Sequence, residues 1–194
     1  GSKRHTDTGH RRPQPYDDSH MQFEADRAND PAGEPSLLEM TQFALAEMQK
    51  ADQGYFLLIE AGRIDHAHHG SNAYRALVDT VALSEAVQWV TDHVDLSDTL
   101  ILVTADHSHT MTISGYPRRG NPILGLVETQ PGRLAKDATG LPYTTLSYAN
   151  GGGYRKRRPD LTEVDTAALD YQQLSTVPMY SETHAGCLLY TSDA

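Results

Sequence analysis

The chain has 194 residues, of which 38% are hydrophobic and 22% are charged, and its formal net charge is -10 at pH 7. This length suits one α/β domain with a core of its own rather than two. The acidic balance argues against nucleic-acid binding, which needs a basic face, and no window approaches the roughly 20 apolar residues that span a bilayer.

The first predicted elements are a polar loop region and a capped helix. Residues 1–35 are rich in Arg, Asp, Pro and Gly and show no sustained hydrophobic period, which predicts loop. Ser36 is followed three residues later by Glu39, a capping-box pattern, so we expect a helix over 36–50. The core α/β part of the chain is predicted to run over 36–113.

Two apolar runs and a second helix complete the predicted core. The segments "GYFLLIE" at 54–60 and "TLILVT" at 99–104 are short and continuously apolar, which is typical of strands covered on both faces. Between them, residues 72–94 show apolar side chains at helical spacing, with Asn72 as the cap. Helix, strand, helix, strand is the pattern of a parallel sheet with helices on its faces.

The character of the chain changes after this core. Over residues 114–180 Gly and Pro recur and hydrophobic runs are weak, so we expect an insertion that lies outside the main sheet. Within it, "NGGGY" at 150–154 is predicted to be a flexible loop.

Both apolar runs end in a cluster of carboxylate and imidazole. Glu60, Asp65 and His69 follow the first run, and Asp106 and His107 follow the second. Ligands gather beyond the carboxyl ends of parallel strands, and Asp65 and His69, four apart, would share one face of a helical turn. Oxygen and nitrogen ligands without sulfur suit zinc or manganese, whereas the isolated Glu60 carboxylate suits magnesium.

Each of these pairs alone has an ordinary alternative, a solvated helix face. Their joint occurrence at two predicted strand ends favours two metal ions a few ångströms apart, the usual arrangement for phosphoryl transfer. The only cysteine, Cys187, excludes both an intramolecular disulfide and a thiolate zinc cluster.

Six longer motifs carry a resemblance to a known family. They are "IEAGRIDHAHHG", "TADHSHT", "GYPRRGNPILGL", "PYTTLSYANGGGY", "RPDL" and "SETHAG". In order and approximate spacing they resemble alkaline phosphatases of the animal and related bacterial type, over residues 16–186. The resemblance implies an α/β fold, a three-layer α/β/α sandwich with a mostly parallel sheet that is incomplete here, and a crown-like insertion over 114–180.

The resemblance also implies a set of metal ligands. The residues that match the ligands of the family are Asp65, His69 and His184 for one zinc ion, Asp106 and His107 for a second zinc ion, and Glu60 for magnesium. Residues 181–186 would thus return the chain to the metal site. The family pattern gives no ligand role to three further histidines, so we expect hydrogen bonding or packing from His66, His68 and His109.

Two other groups of residues have less specific matches. Tyr16, through its carbonyl, Asp17 and Glu34 fall where animal members help to hold a calcium ion, and the alternative is a solvated acidic loop. Five arginines in the insertion could form a phosphate patch, but we interpret them as surface or interface charges: Arg118, Arg119, Arg155, Arg157 and Arg158.

In the family, a serine attacks a phosphomonoester to give a phosphoserine that is then hydrolysed, and an arginine holds the phosphate. Both residues lie in the N-terminal half of family members, and this chain contains no matching D-S-A motif; Ser19 falls in a loop and is not interpreted as the nucleophile. We therefore expect a C-terminal fragment of a dimeric periplasmic, secreted or cell-surface phosphatase, with little or no activity of its own.

Residues 187–194, "CLLYTSDA", resemble a translated sequencing adapter and are predicted to be an artefactual tail. Any membrane attachment would require an anchor outside this chain. Two other functions stay open. One is a relative in the same superfamily that cleaves phosphodiesters, moves phosphate between sugar positions or hydrolyses sulfates. The other is a metal-binding module without catalysis.

Overall fold

The structure is a computed structural model that describes residues 19–185. The predictions for Tyr16, Asp17 and the tail at 187–194 fall outside this range. The described chain contains four helices and seven short strands, and the helices precede the strands. This mixture agrees with an α/β class.

The two helices predicted from their caps are confirmed. Helix α2 (Leu37–Met48) begins with a complete capping box, in which the Ser36 hydroxyl accepts the Glu39 N–H at 3.1 Å and the Glu39 carboxylate accepts the Ser36 N–H at 2.7 Å. Helix α4 (Ala73–His93) begins where the Asn72 side chain accepts the Arg75 N–H at 2.9 Å. No helix within residues 19–185 is long and apolar enough to cross a membrane.

Two shorter helices contact α4. Helix α1 (Glu24–Arg27) packs on α4, and helix α3 (Arg63–His69) precedes it, separated by three residues, and packs against it. Helices α3 and α4 contact each other, and both carry buried alanines, Ala67 on α3 and Ala73 and Ala76 on α4, whose small side chains permit close packing. The two helices therefore form a tight corner that fixes the direction of α3.

The two apolar runs do not form the predicted strands. Neither 54–60 nor 99–104 has strand pairing in the described chain, and several of their large side chains face solvent: Phe56 and Leu58 are 87% and 79% exposed, and Leu100 and Leu102 are 80% and 81% exposed. A strand requires a neighbour for its backbone hydrogen bonds and a cover for its apolar side chains, and residues 19–185 supply neither. The prediction of two buried strands is wrong for this part of the chain, and the three-layer sandwich is not confirmed.

The strands that do form lie later in the chain. They are β1 (Ser108–His109), β2 (Met111–Ile113), β3 (Glu128–Gln130), β4 (Arg133–Leu134), β5 (Leu146–Gly151), β6 (Ser175–Pro178) and β7 (His184–Ala185). Strand β5 is central, antiparallel to β2 and parallel to β6, while β3 pairs with β4. Strands β1 and β7 pair antiparallel, which places His109 opposite His184.

The glycine-rich segment predicted as a flexible loop is instead tightly packed. Gly151 ends β5 with a φ of 135°, and a Cβ there would lie 2.5 Å from the Ser71 hydroxyl oxygen. A Cβ on Gly153 would overlap the carbonyl oxygen of Gln173. Glycine is required at both positions because neighbouring atoms occupy the space of a side chain, and the prediction of flexibility is wrong.

The arginines of the insertion serve local structure or face solvent. Arg118 forms an ion pair with Glu128 at 2.8 Å, and Arg158 binds both the Asp137 carboxylate and the Pro142 carbonyl. The side chains of Arg119, Arg155 and Arg157 are exposed. This pattern agrees with structural and surface charges rather than with a phosphate patch.

Candidate metal centre

Four imidazoles and one carboxylate converge at the corner between α3 and the β1–β7 pair. Asp65 and His69 project from the same face of α3, four residues apart, with 3.4 Å between Asp65 Oδ2 and His69 Nε2. Strand β1 supplies His109, strand β7 supplies His184, and His107 directly precedes β1. The antiparallel register of two short strands thus brings distant parts of the chain to one carboxylate.

Three of the four Nε2 atoms lie near the same oxygen, Asp65 Oδ1, whereas His69 Nε2 faces Oδ2. Asp65 Oδ1 lies 3.1 Å from His109 Nε2, 3.4 Å from His184 Nε2 and 3.7 Å from His107 Nε2. The Nε2 atoms of His69 and His184 are 3.2 Å apart. Asp65 Oδ1 is itself buried and makes no hydrogen bond among the described residues.

The opposite nitrogens of two of these rings have strong acceptors. His69 Nδ1 lies 2.6 Å from the backbone carbonyl oxygen of Glu182, and His109 Nδ1 lies 2.7 Å from the Glu182 carboxylate. In the neutral imidazole the proton therefore belongs on Nδ1, and the Nε2 lone pair faces Asp65. Lone pairs and a carboxylate repel one another, so this arrangement suits a cation between them.

The separations between these atoms also fit zinc. Zn–N and Zn–O bonds of about 2.0–2.1 Å at tetrahedral angles place neighbouring ligand atoms about 3.3 Å apart. Ligand atoms of Asp65, His69 and His184 form one close group, and those of Asp65, His107 and His109 form another. Asp65 belongs to both groups, so the residues present fit a zinc centre with imidazole and carboxylate ligands.

The profile of the alkaline phosphatase family matches residues 15–189. This is most of the chain. The chain belongs to the alkaline phosphatase family. The match includes α3, β1 and β7, the elements that build the metal centre.

Individual alkaline phosphatases are similar to the chain at about 40% identity. The tissue-nonspecific isozyme of Gallus gallus is 42% identical over 174 residues, covering 88% of this chain and 32% of the relative. The human tissue-nonspecific isozyme is 40% identical with the same coverage, and the membrane-bound alkaline phosphatase of Bombyx mori is 38% identical over 176 residues, 88% of this chain and 30% of the relative. The chain thus spans about a third of the length of the curated relatives it matches.

The structure brings some of the predicted ligands together and leaves others apart. Asp65, His69, His184 and His107 meet in the groups described above. The Asp106 side chain is 88% exposed, although its Oδ2 lies 3.4 Å from His107 Nε2.

Glu60 and Glu34, the described residues among the predicted magnesium and calcium ligands, lie outside these groups. Glu60 is exposed and is not a member of any close ligand group within residues 19–185. Glu34 is buried, and its carboxylate accepts the N–H of Gln22 at 2.7 Å.

Two residues of the centre were missed as participants. His109 was expected only to support the ligands, yet its Nε2 is the imidazole nitrogen closest to Asp65 Oδ1. Glu182 was not singled out, although its buried carboxylate accepts hydrogen bonds from Thr110 at 2.5 Å (N–H) and 2.7 Å (hydroxyl) and also faces His109. Period-two spacing is the signal that could have identified both, since alternate residues of an extended chain share one side: His107 with His109, and Glu182 with His184.

His66 and His68, the remaining histidines of "DHAHH", belong to no close ligand group within residues 19–185. His66 Nδ1 is 3.2 Å from the Arg63 guanidinium, and burial lowers the pKa of its imidazole. Burial and the neighbouring His109 lower the pKa of His68 to about 4, so that ring is neutral at pH 7. His68 Nδ1 lies 2.8 Å from the hydroxyl of Tyr148, a phenol whose pKa burial raises.

Proposed function

We propose that the chain carries zinc-binding machinery of an alkaline phosphatase that hydrolyses phosphomonoesters. The observation that carries the proposal is the convergence of imidazole Nε2 atoms on the buried Asp65 Oδ1, which makes no hydrogen bond among the described residues. Membership in the alkaline phosphatase family supports the reaction class. A bound zinc ion would supply Lewis-acid stabilisation of negative charge on a phosphate ester.

The residues have separate roles in this proposal. Asp65, His69 and His184 hold the first zinc ion, His107 with Asp106 holds the second, and Glu60 contributes to a magnesium site. Glu182 fixes the Nδ1–H tautomer of His69 and His109, because its carbonyl and carboxylate oxygens accept from those two nitrogens. Glu34, with Tyr16 and Asp17, is proposed to contribute to a calcium site.

Other parts of the proposal follow the family rather than the geometry of the centre. The nucleophile is proposed to be a serine outside residues 1–194, which forms a phosphoserine, and turnover by this chain alone is expected to be negligible. Residues 114–180 are proposed to be a crown-like insertion near a homodimer interface. A periplasmic, secreted or cell-surface location is proposed, as is the artefactual origin of 187–194.

Metal analysis with isosteric variants tests this function. We expect stoichiometric zinc in the purified wild-type chain after dialysis, and loss of at least one zinc ion in Asp65→Asn, because the amide carries no charge to balance the metal. The matched control is Asp52→Asn, the same change at an exposed position after α2, which should keep the zinc. Equal zinc content in Asp65→Asn and wild type would contradict the proposed centre.

A turnover assay tests the proposal that the nucleophile lies outside residues 1–194. The zinc-loaded chain should hydrolyse an aryl phosphate no faster than buffer containing the same zinc concentration. Turnover that His107→Ala abolishes would show that the chain contains a nucleophile of its own, and that part of the proposal would be wrong.

A further inference from the structure

A fifth imidazole, that of His68, lies next to the candidate metal centre, in contact with His109. It projects from α3, is only 9% exposed, and its ring is stacked on the His109 ring with the centroids 4.5 Å apart and the planes at 24°. Its Nδ1 lies 2.8 Å from the Tyr148 hydroxyl. Within the described residues, His68 belongs to no close group of His, Cys, Asp and Glu ligand atoms, so the ligand set leaves the His68–Tyr148 pair without a role.

Tyr148 is a rigid anchor. It lies in β5, the central strand of its sheet, opposite Met111 of β2 and Ser175 of β6, and it is 1% exposed. Its backbone N–H donates to the Leu174 carbonyl at 3.0 Å. Because the phenol is held on both sides by strands, its hydroxyl is a fixed point, and the hydrogen bond to Nδ1 restricts rotation of the His68 ring.

His109 needs a constraint of this kind. Its Nδ1 faces Glu182 at 2.7 Å and its Nε2 faces Asp65 at 3.1 Å, so contacts at the two nitrogens fix the ring at its edges. Such contacts leave the ring able to rock about the line that joins the nitrogens. The rings of His69, His107 and His184 meet His109 edge to face, at interplanar angles of 84°, 71° and 89°. The stacked ring of His68 restricts rocking against the face of His109.

We propose that Tyr148 and His68 are positioning residues of the metal centre: the Tyr148 hydroxyl fixes the His68 ring, and the stacked His68 ring fixes the plane of His109 and the direction of its Nε2. The inference rests on the proposed function, since it requires that the centre bind metal. Outer residues of this type typically change metal affinity by about 10- to 100-fold when they are lost.

Tyr148→Phe is the direct test, because it removes one hydroxyl and keeps the buried ring. With Co²⁺ as the probe, we expect the dissociation constant of the full chain to rise about tenfold and the visible d–d spectrum to change. The reason is that a misdirected His109 Nε2 would shift Asp65, the proposed metal ligand whose Oδ1 lies 3.1 Å from it. Tyr171→Phe is the matched control. The Tyr171 hydroxyl is buried but has no hydrogen-bond partner in the described chain, so its loss should leave both readouts unchanged.

A second variant separates positioning from a loss of folding. Tyr148→Phe leaves His68 Nδ1 buried and unpaired, which can destabilise the chain by itself. The double variant His68→Phe/Tyr148→Phe keeps a stacked ring and leaves no unpaired polar atom, so it should melt near the wild-type temperature by circular dichroism. If the pair acts as one unit, the double variant weakens Co²⁺ binding by the same factor as Tyr148→Phe alone.

The outcomes distinguish this inference from the proposed function. Wild-type affinity and an unchanged spectrum in both Tyr148→Phe and the folded double variant overturn the positioning role while the metal centre stands. Absence of Co²⁺ uptake by the wild-type chain overturns the centre itself and the positioning role with it. A tenfold loss in Tyr148→Phe that Tyr171→Phe does not share supports the role of the pair.

Discussion

At the scale of single residues, Asp79 is a carboxylate whose burial has a consequence for stability. Its side chain lies on α4, accepts the Glu24 N–H at 3.3 and 3.4 Å, and is nearly covered. Burial raises the pKa of Asp79 from its ordinary 3.8 to about 6; Arg63 opposes the shift, and the negative charges of Glu24 and Asp26 add to it. The folded chain therefore holds this proton more tightly than the unfolded chain.

The contribution of Asp79 to the free energy of unfolding should therefore depend on pH. Because the pKa of Asp79 is higher in the folded state, its contribution to the free energy of unfolding falls as pH rises from about 4 to about 6 and is constant above that range. We expect Asp79→Asn to remove this contribution. Relative to wild type, the free energy of unfolding of the variant should therefore rise by about 1–3 kcal/mol between pH 4 and pH 7. Denaturant titrations at several pH values measure it. A pH-independent difference would contradict the shift.

Ser71 and Gly151 lie close together, and the structure predicts the sign of the stability change for substitutions at both positions. Ser71 has a φ of 53°, is fully buried, and its hydroxyl makes no hydrogen bond within the described chain. Ser71→Gly relieves the left-handed backbone and removes the unpaired hydroxyl, so the free energy of unfolding should rise by about 1 kcal/mol. Gly151→Ala should lower it by more than about 2 kcal/mol, because the new Cβ would meet that hydroxyl at 2.5 Å.

The double variant tests the contact itself. In a Ser71→Gly background the clash is removed, so Gly151→Ala should cost less than in wild type, with a coupling of about 0.5–3 kcal/mol. Gly132→Ala isolates the backbone effect, since Gly132 has a φ of 73° but open space around it. Additive losses in the double variant would show that the hydroxyl does not lie against Gly151.

At the scale of elements, the capping box of α2 should contribute measurably to stability. Ser36→Ala removes the hydroxyl that accepts the Glu39 N–H, and we expect the free energy of unfolding to fall by about 1 kcal/mol. Ser84→Ala makes the same chemical change at an exposed position inside α4, where alanine is the better helix former, so it should raise stability slightly. Thermal melts of both variants measure the opposite signs, and a neutral Ser36→Ala would contradict the role of the cap.

Some elements of the fold could be predicted from the sequence and others could not. The helices over 36–50 and 72–94 were predicted correctly because their signals are local: a cap, a helical period and residues within a few positions of one another. The runs at 54–60 and 99–104 were not, since a strand depends on a partner elsewhere in the chain. Asp65 and His69 were predicted as neighbours from their spacing on one helix face, whereas the approach of His109 depends on the register of β1 with β7.

At the scale of the whole molecule, the most unusual feature is the apolar surface of the two unpaired runs. Phe56, Leu58, Leu100 and Leu102 are all more than three-quarters exposed, at 87%, 79%, 80% and 81%. Exposed apolar side chains on segments without strand pairing in the described chain favour association with other chains. We therefore expect the isolated chain to bind hydrophobic dyes and to aggregate despite its net charge of -10.

Leu58→Lys combined with Leu102→Lys tests this surface. If both side chains face water, the double variant should bind less dye and remain soluble at higher concentration, while its melting temperature changes little, since an exposed substitution costs at most about 0.5 kcal/mol. Leu45→Lys is the contrasting control, because Leu45 is 2% exposed and a buried lysine should unfold the helical part. Strong destabilisation by the exposed pair would contradict the exposure of the two runs, because it would require that another surface cover them in solution.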